Sequence, residues 1–267
     1  MLKAMSDIFT PFERRKLNSK NKALLAEWKE IHELCQLRED ISYTVVKKNK
    51  NDLPVIYDII YKIASFIGLD KNRKIDRALL KENDDNKESL FYPLFGDIHR
   101  MQITIPPTFP QINGKPKGSV STEIWHPNIV CHGDDNIVGR VCFNEGNLDA
   151  SVTIVDRILQ VADYLTYKNY LAEDREPYPY DLEVAHWIRE IAEPLGWVVP
   201  EHGINYKKFG IKHTDPKPKD DKQLEPKEHE DENIVILDDK GDGFEFTPEM
   251  IEDAKDDDDE QNEFIVL

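Results

Sequence analysis

The sequence has few cysteines, no long apolar stretch and a shortage of basic residues. Its 267 residues include three cysteines, Cys35, Cys131 and Cys142, too few and too odd a number for a disulfide framework. No run approaches the roughly 18 apolar residues that a membrane helix needs, and the start MLKAMSDIFTPFERR lacks the apolar core of a signal peptide. We therefore expect a cytoplasmic protein with reduced thiols and no membrane partner.

The shortage of basic residues limits the class of partner. Lys and Arg number 35 against 52 Asp and Glu, a formal net charge of -17. Nucleic-acid binding needs a basic surplus to neutralise phosphates, so no nucleic-acid partner is expected. Residues 215–267 hold 6 Lys and 21 acidic residues, or -15, which leaves -2 for the rest of the chain. Composition thus predicts a folded domain over 1–212 and an acidic, mostly disordered tail over 213–267.

Hydrophobic periodicity predicts an α+β fold. Apolar residues at three- and four-residue steps indicate an amphipathic helix over 12–40. Strand patterns follow in SYTVVKK, PVIYDIIYKIASFIGL, HRMQITIPPTFP and VSTEIW. The polar stretch 70–89 is interpreted as an insertion or long loop. One helix is expected to begin near Thr153, with Leu171 as the last candidate residue of its apolar stripe. A second helix is expected over 180–194. The order of helix, antiparallel strands and helices favours α+β over a doubly wound sheet.

The segment STEIWHPNIVCHGDDNIVGRVCF resembles the active-site region of the ubiquitin-conjugating enzymes. The matching pieces are IPPTFP at 105–110, IWHPNI at 124–129, GRVC at 139–142 and the helix start SVTIVDRIL. The resemblance covers about residues 12–195. The later segments DYLTYKNYL and PYPYDLEVAHWIRE are similar to divergent bacterial members of the family.

The resemblance implies a fold, an activity and a set of partners. The fold is ubiquitin-conjugating-enzyme-like, with an N-terminal helix, an antiparallel meander sheet and C-terminal helices. Cys142 would receive a ubiquitin-like protein as a thioester from an ATP-dependent activating enzyme and pass it to a lysine or other amine of a protein target. The implied catalytic site consists of Cys142, Asn128 and His126, with no cofactor and no metal ion.

The chemistry of these residue types agrees with such a role. A free cysteine is a few per cent thiolate at neutral pH and strongly nucleophilic, so thioester exchange needs no histidine base. Attack by an amine places negative charge on the carbonyl oxygen, which the amide of Asn128 can stabilise. A carboxylate orients the amine, and Glu173, Asp174 and Glu176 are the candidates by position. This reading requires an accessible Cys142 sulfur beside Asn128.

Two departures from the family pattern stand out. Cys142 follows His126 by 16 positions (142 minus 126), as if CHGDDN had been inserted, where about ten positions are usual. The tryptophan that usually follows the cysteine is replaced by GNLDASVT.

Other interpretations of the same residues stay open. Cys142 is alternatively a small buried hydrophobic residue, Asn128 a turn cap, and His126 a brace for the loop in preference to a base. Cys131 and His132 are weak metal-ligand candidates together with His126 and Cys142. The whole domain is alternatively a non-catalytic scaffold that binds a modifier or activating enzyme, or a cysteine hydrolase that uses His132 or His186. The tail segment IVILDD is a candidate for strand addition to a partner.

Overall fold

The computed structural model describes residues 5–76, 90–111, 114–134, 136–143, 152–173, 175 and 179–212. Its helices are α1 (Met5–Glu13), α2 (Ser19–Leu37), α3 (Ile154–Leu165) and α4 (Leu182–Trp187). The strands are β1 (Ile41–Lys48), β2 (Pro54–Tyr61), β3 (Ser65–Lys74), β4 (Phe91–Gly96), β5 (His99–Thr104), β6 (Lys117–Val120), β7 (Val198–Val199) and β8 (Gly203–Ile204). A π-helical turn, Ile188–Ala192, continues α4, and a 3-10 turn spans Tyr206–Phe209. The predicted order of N-terminal helix, antiparallel strands and C-terminal helices is confirmed.

The central sheet is an antiparallel meander with the strand order β1-β2-β5-β6. Strands β3 and β4 form a separate two-stranded sheet inserted between β2 and β5 in the chain. The prediction of one strand over PVIYDIIYKIASFIGL is therefore wrong, because the chain leaves the meander after Tyr61 and starts β3 at Ser65. Its alternating pattern continues across the break, and a period of two does not record a change of sheet.

Three other boundaries differ from the prediction. The N-terminal helical pattern is two helices, because the Asn18 side chain accepts from the backbone N of Asn21 and starts a new helix there. The fourth meander strand, Lys117–Val120, lies earlier than predicted and includes only the first residue of VSTEIW, Val120. Asp70–Lys74 belong to β3, whereas residues 77–89 of the expected insertion lie outside the described residues.

Helix α3 starts where the sequence predicted. The Thr153 hydroxyl accepts from the backbone N of Asp156 at 3.2 Å, and the Asp156 carboxylate accepts from the backbone N of Thr153 at 2.8 Å. This capping box satisfies backbone donors that would otherwise lack partners. The helix ends at Leu165, so Leu171 lies beyond it.

Two groups of buried side chains form the core. One fills the space between the meander and helices α2 and α3, and includes Trp28, Tyr57, Met101 and Ile158. The other joins the β3–β4 hairpin to α4 and the following turns, and includes Phe66, Trp125, Trp187 and Trp197. The sequence left open whether these three tryptophans are core or surface-covering residues, and all three are buried. The segment around His126 runs between the two groups and is held by both.

Candidate active site

A short hairpin brings the two motif segments together. The backbone N of Val130 donates to the O of Arg140 at 3.0 Å, and the N of Gly139 donates to the O of Val130 at 2.8 Å. Ile129 and Val141 form an antiparallel bridge, and the N of Cys142 donates to the O of Asn128 at 2.8 Å. The described residues of CHGDDN thus lie in the loop of the hairpin. The longer spacing between His126 and Cys142 therefore does not keep Cys142 away from Asn128.

Gly139 is required by a close backbone approach. It has φ +81°, in the left-handed region that favours glycine. A Cβ at this position would lie 1.9 Å from the carbonyl oxygen of Val120. The same approach lets the N of Val120 donate to the O of Gly139 at 2.7 Å, which attaches the hairpin to β6. The glycine of the GRVC motif is therefore needed to place Cys142.

Cys142 is fixed through its backbone and is largely buried. Its carbonyl oxygen accepts a hydrogen bond from the Tyr164 hydroxyl at 2.8 Å, while its N donates to Asn128. The residue is 8% exposed and lies between the buried Val141 and Phe143. The expected proximity to Asn128 is present, but the expected open position of the cysteine is not.

Asn128 is 1% exposed, and its side-chain oxygen, its backbone N and its backbone O all form hydrogen bonds, the last with the N of Cys142. Its side-chain Oδ1 accepts from the backbone N of Leu171 at 2.8 Å, and its backbone N donates to the Nδ1 of His126 at 3.1 Å. The Oδ1 contact joins Asn128 to a segment 43 residues away, so it is not the local turn cap that the sequence left open. Because Oδ1 has this partner, the amide NH₂ is the part of the side chain suited to bind a developing oxyanion.

His126 is fully buried and uncharged at neutral pH. Burial lowers the pKa of its imidazole from 6.5 to about 3, and a backbone contact with Asn169 opposes part of the change. The ring stacks on Tyr164 with centroids 4.9 Å apart and meets the edge of Tyr167 at 4.7 Å. Since Nδ1 accepts from the backbone N of Asn128, the ring proton is on Nε2. This geometry supports a bracing role and no acid–base role.

Asp181 connects the hairpin loop to α4, a link that the sequence analysis missed. Its carboxylate accepts from the backbone N of Cys131 at 3.1 Å, from the N of Val184 at 3.2 Å and from the Nδ1 of His132 at 2.8 Å. Its backbone N donates to the O of Pro127 at 3.0 Å. An Asp directly before an apolar helical pattern is a sequence signal for the cap, but not for the long-range contacts.

The other candidates have structural partners. Burial raises the pKa of the thiols of Cys35 and Cys131, to about 11 and about 12, which makes both poor nucleophiles. His132 binds Asp181 through Nδ1, as a hydrolase base would be oriented. Among the described residues its ring contacts Asp181, Glu183 and Trp125 and makes no contact with the predicted nucleophile Cys142. Within the described ranges, no three His, Cys, Asp or Glu side chains are grouped to hold a metal ion.

The carboxylates proposed to orient the amine are only partly described. Glu173 forms an exposed ion pair with Arg175. Asp174 and Glu176 lie outside the described residues. The choice among the three therefore stays a prediction. Of the helices described, none has the length and apolar character needed to cross a membrane.

No protein-family model matches the chain, and no curated protein matches it. Solved structures give similarities of fold. The E2 domain of a Toxoplasma gondii ubiquitin-conjugating enzyme is 20% identical with a TM-score of 0.40, over 66% of this chain and 90% of that domain. A Plasmodium yoelii protein described as a ubiquitin-conjugating enzyme is 18% identical with a TM-score of 0.41, over 68% and 92%. Human ubiquitin-conjugating enzyme E2 G1 is 22% identical with a TM-score of 0.32, over 54% and 93%.

Proposed function

We propose that the chain is a ubiquitin-conjugating-type carrier enzyme that holds a ubiquitin-like protein as a thioester on Cys142. The observation that carries the proposal is the hairpin that places Cys142 directly opposite Asn128, with their backbone N and O atoms 2.8 Å apart. The sequence resemblance in IWHPNI and GRVC supports the same assignment. The divergent bacterial branch of the family is the proposed origin of the departures from the usual pattern.

Loading is a thioester exchange. The Cys142 thiolate attacks the carbonyl carbon of the thioester on the activating enzyme, forming a new S–C bond while the old S–C bond breaks. The thiolate of the activating enzyme leaves with the electron pair and takes up a proton. Of the three cysteines, Cys35 and Cys131 are disfavoured for this step because burial raises the pKa of each thiol.

Transfer to a target is the step that Asn128 serves. The neutral nitrogen of a lysine or other amine attacks the stored thioester and forms a C–N bond, and the carbonyl oxygen becomes negative. The C–S bond then breaks, and the Cys142 thiolate leaves and takes up the proton that the nitrogen loses. The amide NH₂ of Asn128 donates to this oxygen, a contribution worth roughly 100- to 1000-fold in rate where such donors have been removed from other enzymes. His126 acts indirectly, because its Nδ1 fixes the backbone N of Asn128.

The partners of this function are the modifier, an ATP-dependent activating enzyme and a protein target with an amine. The acidic segment 213–267, which lies outside the described residues, is proposed to contact a basic or ubiquitin-like partner. Neither a metal ion nor a cofactor enters the proposed chemistry.

The test is formation of a thiol-sensitive adduct. The chain is incubated with an activating enzyme, its modifier and ATP, and the product is separated with and without reducing agent. We expect an adduct with the wild type and with Cys35→Ala and Cys131→Ala, which are matched controls. We expect none with Cys142→Ala, and an adduct that persists in that variant refutes the assignment.

One observation favours a second candidate, a non-catalytic scaffold that binds a modifier or an activating enzyme. Cys142 is 8% exposed, less than direct attack on another protein's thioester requires. The two candidates differ in the reactivity of this thiol. A carrier enzyme should show Cys142 alkylation faster than that of Cys35 and Cys131, whereas a scaffold should bind its partners while all three thiols react slowly.

A further inference from the structure

Among the described residues, only Tyr164 donates a hydrogen bond to the carbonyl oxygen of Cys142. Its hydroxyl donates to that oxygen at 2.8 Å and accepts from the Nε2 of Gln160 at 2.7 Å. Tyr164 is the next-to-last residue of α3 and is 1% exposed. A buried hydroxyl that acts as both donor and acceptor has a fixed orientation.

Tyr164 also completes a closed ring of contacts. Its aromatic ring stacks on His126 with an angle of 24° between the planes. The Nδ1 of His126 accepts from the backbone N of Asn128, and the O of Asn128 accepts from the N of Cys142. The circuit Cys142–Asn128–His126–Tyr164 returns to Cys142 through the tyrosine hydroxyl. Both backbone polar groups of the cysteine are therefore fixed relative to Asn128.

The hydroxyl keeps its proton at all ordinary pH values. Burial raises the pKa of Tyr164 well above its usual 10, and the negative charge of a Cys142 thiolate raises it further. The donor of the bond to Cys142 is thus present whether the cysteine is a thiol or a thiolate.

We propose, on the basis of the carrier function above, that Tyr164 is a positioning residue that fixes Cys142 so that a thioester on its sulfur is aligned with the Asn128 amide. Alignment of reacting groups accounts for a large share of enzymatic rate, and small displacements are costly. The same bond limits the exposure of the cysteine. Without it, the carbonyl of Cys142 has lost its anchor and the residue moves more freely.

The first test measures thiol reactivity. Tyr164→Phe removes one oxygen and keeps the ring that stacks on His126. Tyr61→Phe is the matched control, because the Tyr61 hydroxyl is also buried and donates to a backbone oxygen, that of Ile158, at 3.2 Å. Iodoacetamide labelling of each cysteine is followed by peptide mass spectrometry, with both variants kept well below their melting temperatures.

We expect Tyr164→Phe to accelerate labelling of Cys142 about fivefold, the factor that corresponds to one net hydrogen bond. Labelling of Cys35 and Cys131 should not change, and Tyr61→Phe should change none of the three. An unchanged rate at Cys142 overturns the proposal. An equal acceleration at all three cysteines also overturns it, because it indicates general loosening of the fold.

The second test measures transfer. Cys142 is loaded by exchange with S-acetyl-mercaptoethanesulfonate, and discharge of the acetyl group to free lysine is timed in Tyr164→Phe, Asn128→Ala and the double variant. We expect Tyr164→Phe to slow discharge about fivefold on its own and to have little further effect beside Asn128→Ala, since both act through one alignment. Independent, multiplying effects overturn the proposal.

The two tests separate this inference from the function on which it rests. If wild-type Cys142 accepts no acyl group from the small thioester, the carrier function fails. The labelling experiment still decides whether Tyr164 controls the cysteine, because alkylation requires no partner protein.

Discussion

At the scale of single residues, Asn128 combines two tasks in one side chain. Oδ1 accepts from the N of Leu171, and the NH₂ is left for catalysis. Asn128→Ala should slow discharge of a Cys142 thioester to lysine by roughly 100-fold, as loss of an oxyanion donor does. Thioester formation should change little, because the exchange depends mainly on the Cys142 thiolate. Single-turnover gels measure both steps.

Asn128→Asp is the informative companion variant. It retains an acceptor for the Leu171 N–H but loses the amide donor, so its discharge should be as slow as that of Asn128→Ala. Discharge at the wild-type rate in the Asp variant would mean that the bond to Leu171, and not the donor, is what matters.

Burial of His126 makes stability depend on pH in a defined direction. The pKa of the ring is about 3 in the folded chain and 6.5 in its ordinary state. Below pH 6.5, His126 is therefore protonated in the unfolded chain but not in the folded chain. The free energy of unfolding is unaffected by this group above pH 6.5 and falls as the pH drops towards 3, by about 1.4 kcal/mol per pH unit for one proton.

Urea unfolding at pH 7.5 and pH 5 tests this dependence. His126→Gln should reduce the loss of stability between these pH values, because the titrating group is gone. His99→Gln should act in the same direction, since burial also lowers the pKa of His99. An acid-induced loss that His126→Gln leaves unchanged would contradict the burial argument.

Gly139→Ala should be among the most damaging single substitutions. The new Cβ would meet the Val120 oxygen at 1.9 Å, and the backbone there has φ +81°. We expect a loss of more than about 3 kcal/mol in the free energy of unfolding, together with loss of Cys142 loading. Gly210→Ala is the matched control, with φ +70° and no atom within 4 Å of the added Cβ. It should cost about 1 kcal/mol, and equal losses in both would show that the close approach is unimportant.

At the scale of elements, α3 is specified by a local signal. Thr153→Ala removes the acceptor for the N of Asp156 and should cost about 1 kcal/mol, which urea unfolding can detect. Thr153→Ser keeps the hydroxyl and should retain most of that stability. If Ser and Ala prove equally destabilising, the cap is not the source of the effect.

The elements show which parts of the fold a sequence can predict. The start of α3 and the stripe of α2 were predicted because caps and 3.6-residue periodicity are local. The division between β2 and β3 was missed because alternation does not say which sheet a strand joins. Strand β4 was also missed, since Pro93 within it argues against a strand, although a two-stranded sheet tolerates it.

The candidate site was predictable in its composition but not in its accessibility. IWHPNI and GRVC identified His126, Asn128 and Cys142, and the structure brings the last two into direct backbone contact. Tyr164 and Asp181 were not identified, because their contacts with the hairpin span 22 and about 50 residues of chain. The burial of Cys142 depends on such long-range packing and leaves no local pattern.

At the scale of the whole molecule, the charge is concentrated at one end of the sequence. Residues 215–267 carry -15 of the total -17. We expect truncation after Lys212 to weaken binding to a basic or ubiquitin-like partner and to reduce the dependence of that binding on salt. Calorimetry at two salt concentrations measures both effects. Substituting Asp256–Asp259 with Asn keeps the length and isolates the charge, and affinities that neither change alters would count against a role for the tail.

The hairpin inserted between β2 and β5 has a consequence for how the chain finds its native state. Tyr61 of β2 pairs with His99 of β5, so pairing of these two strands closes a loop of 38 residue steps (99 minus 61). If β3 and β4 pair first, the chain between Tyr61 and His99 is already folded into a hairpin, and the C-terminal end of β2 lies near the start of β5. Less conformational entropy is then lost when β2 pairs with β5. We expect the hairpin to act as an early local nucleus, and weakening it to slow refolding more than it speeds unfolding.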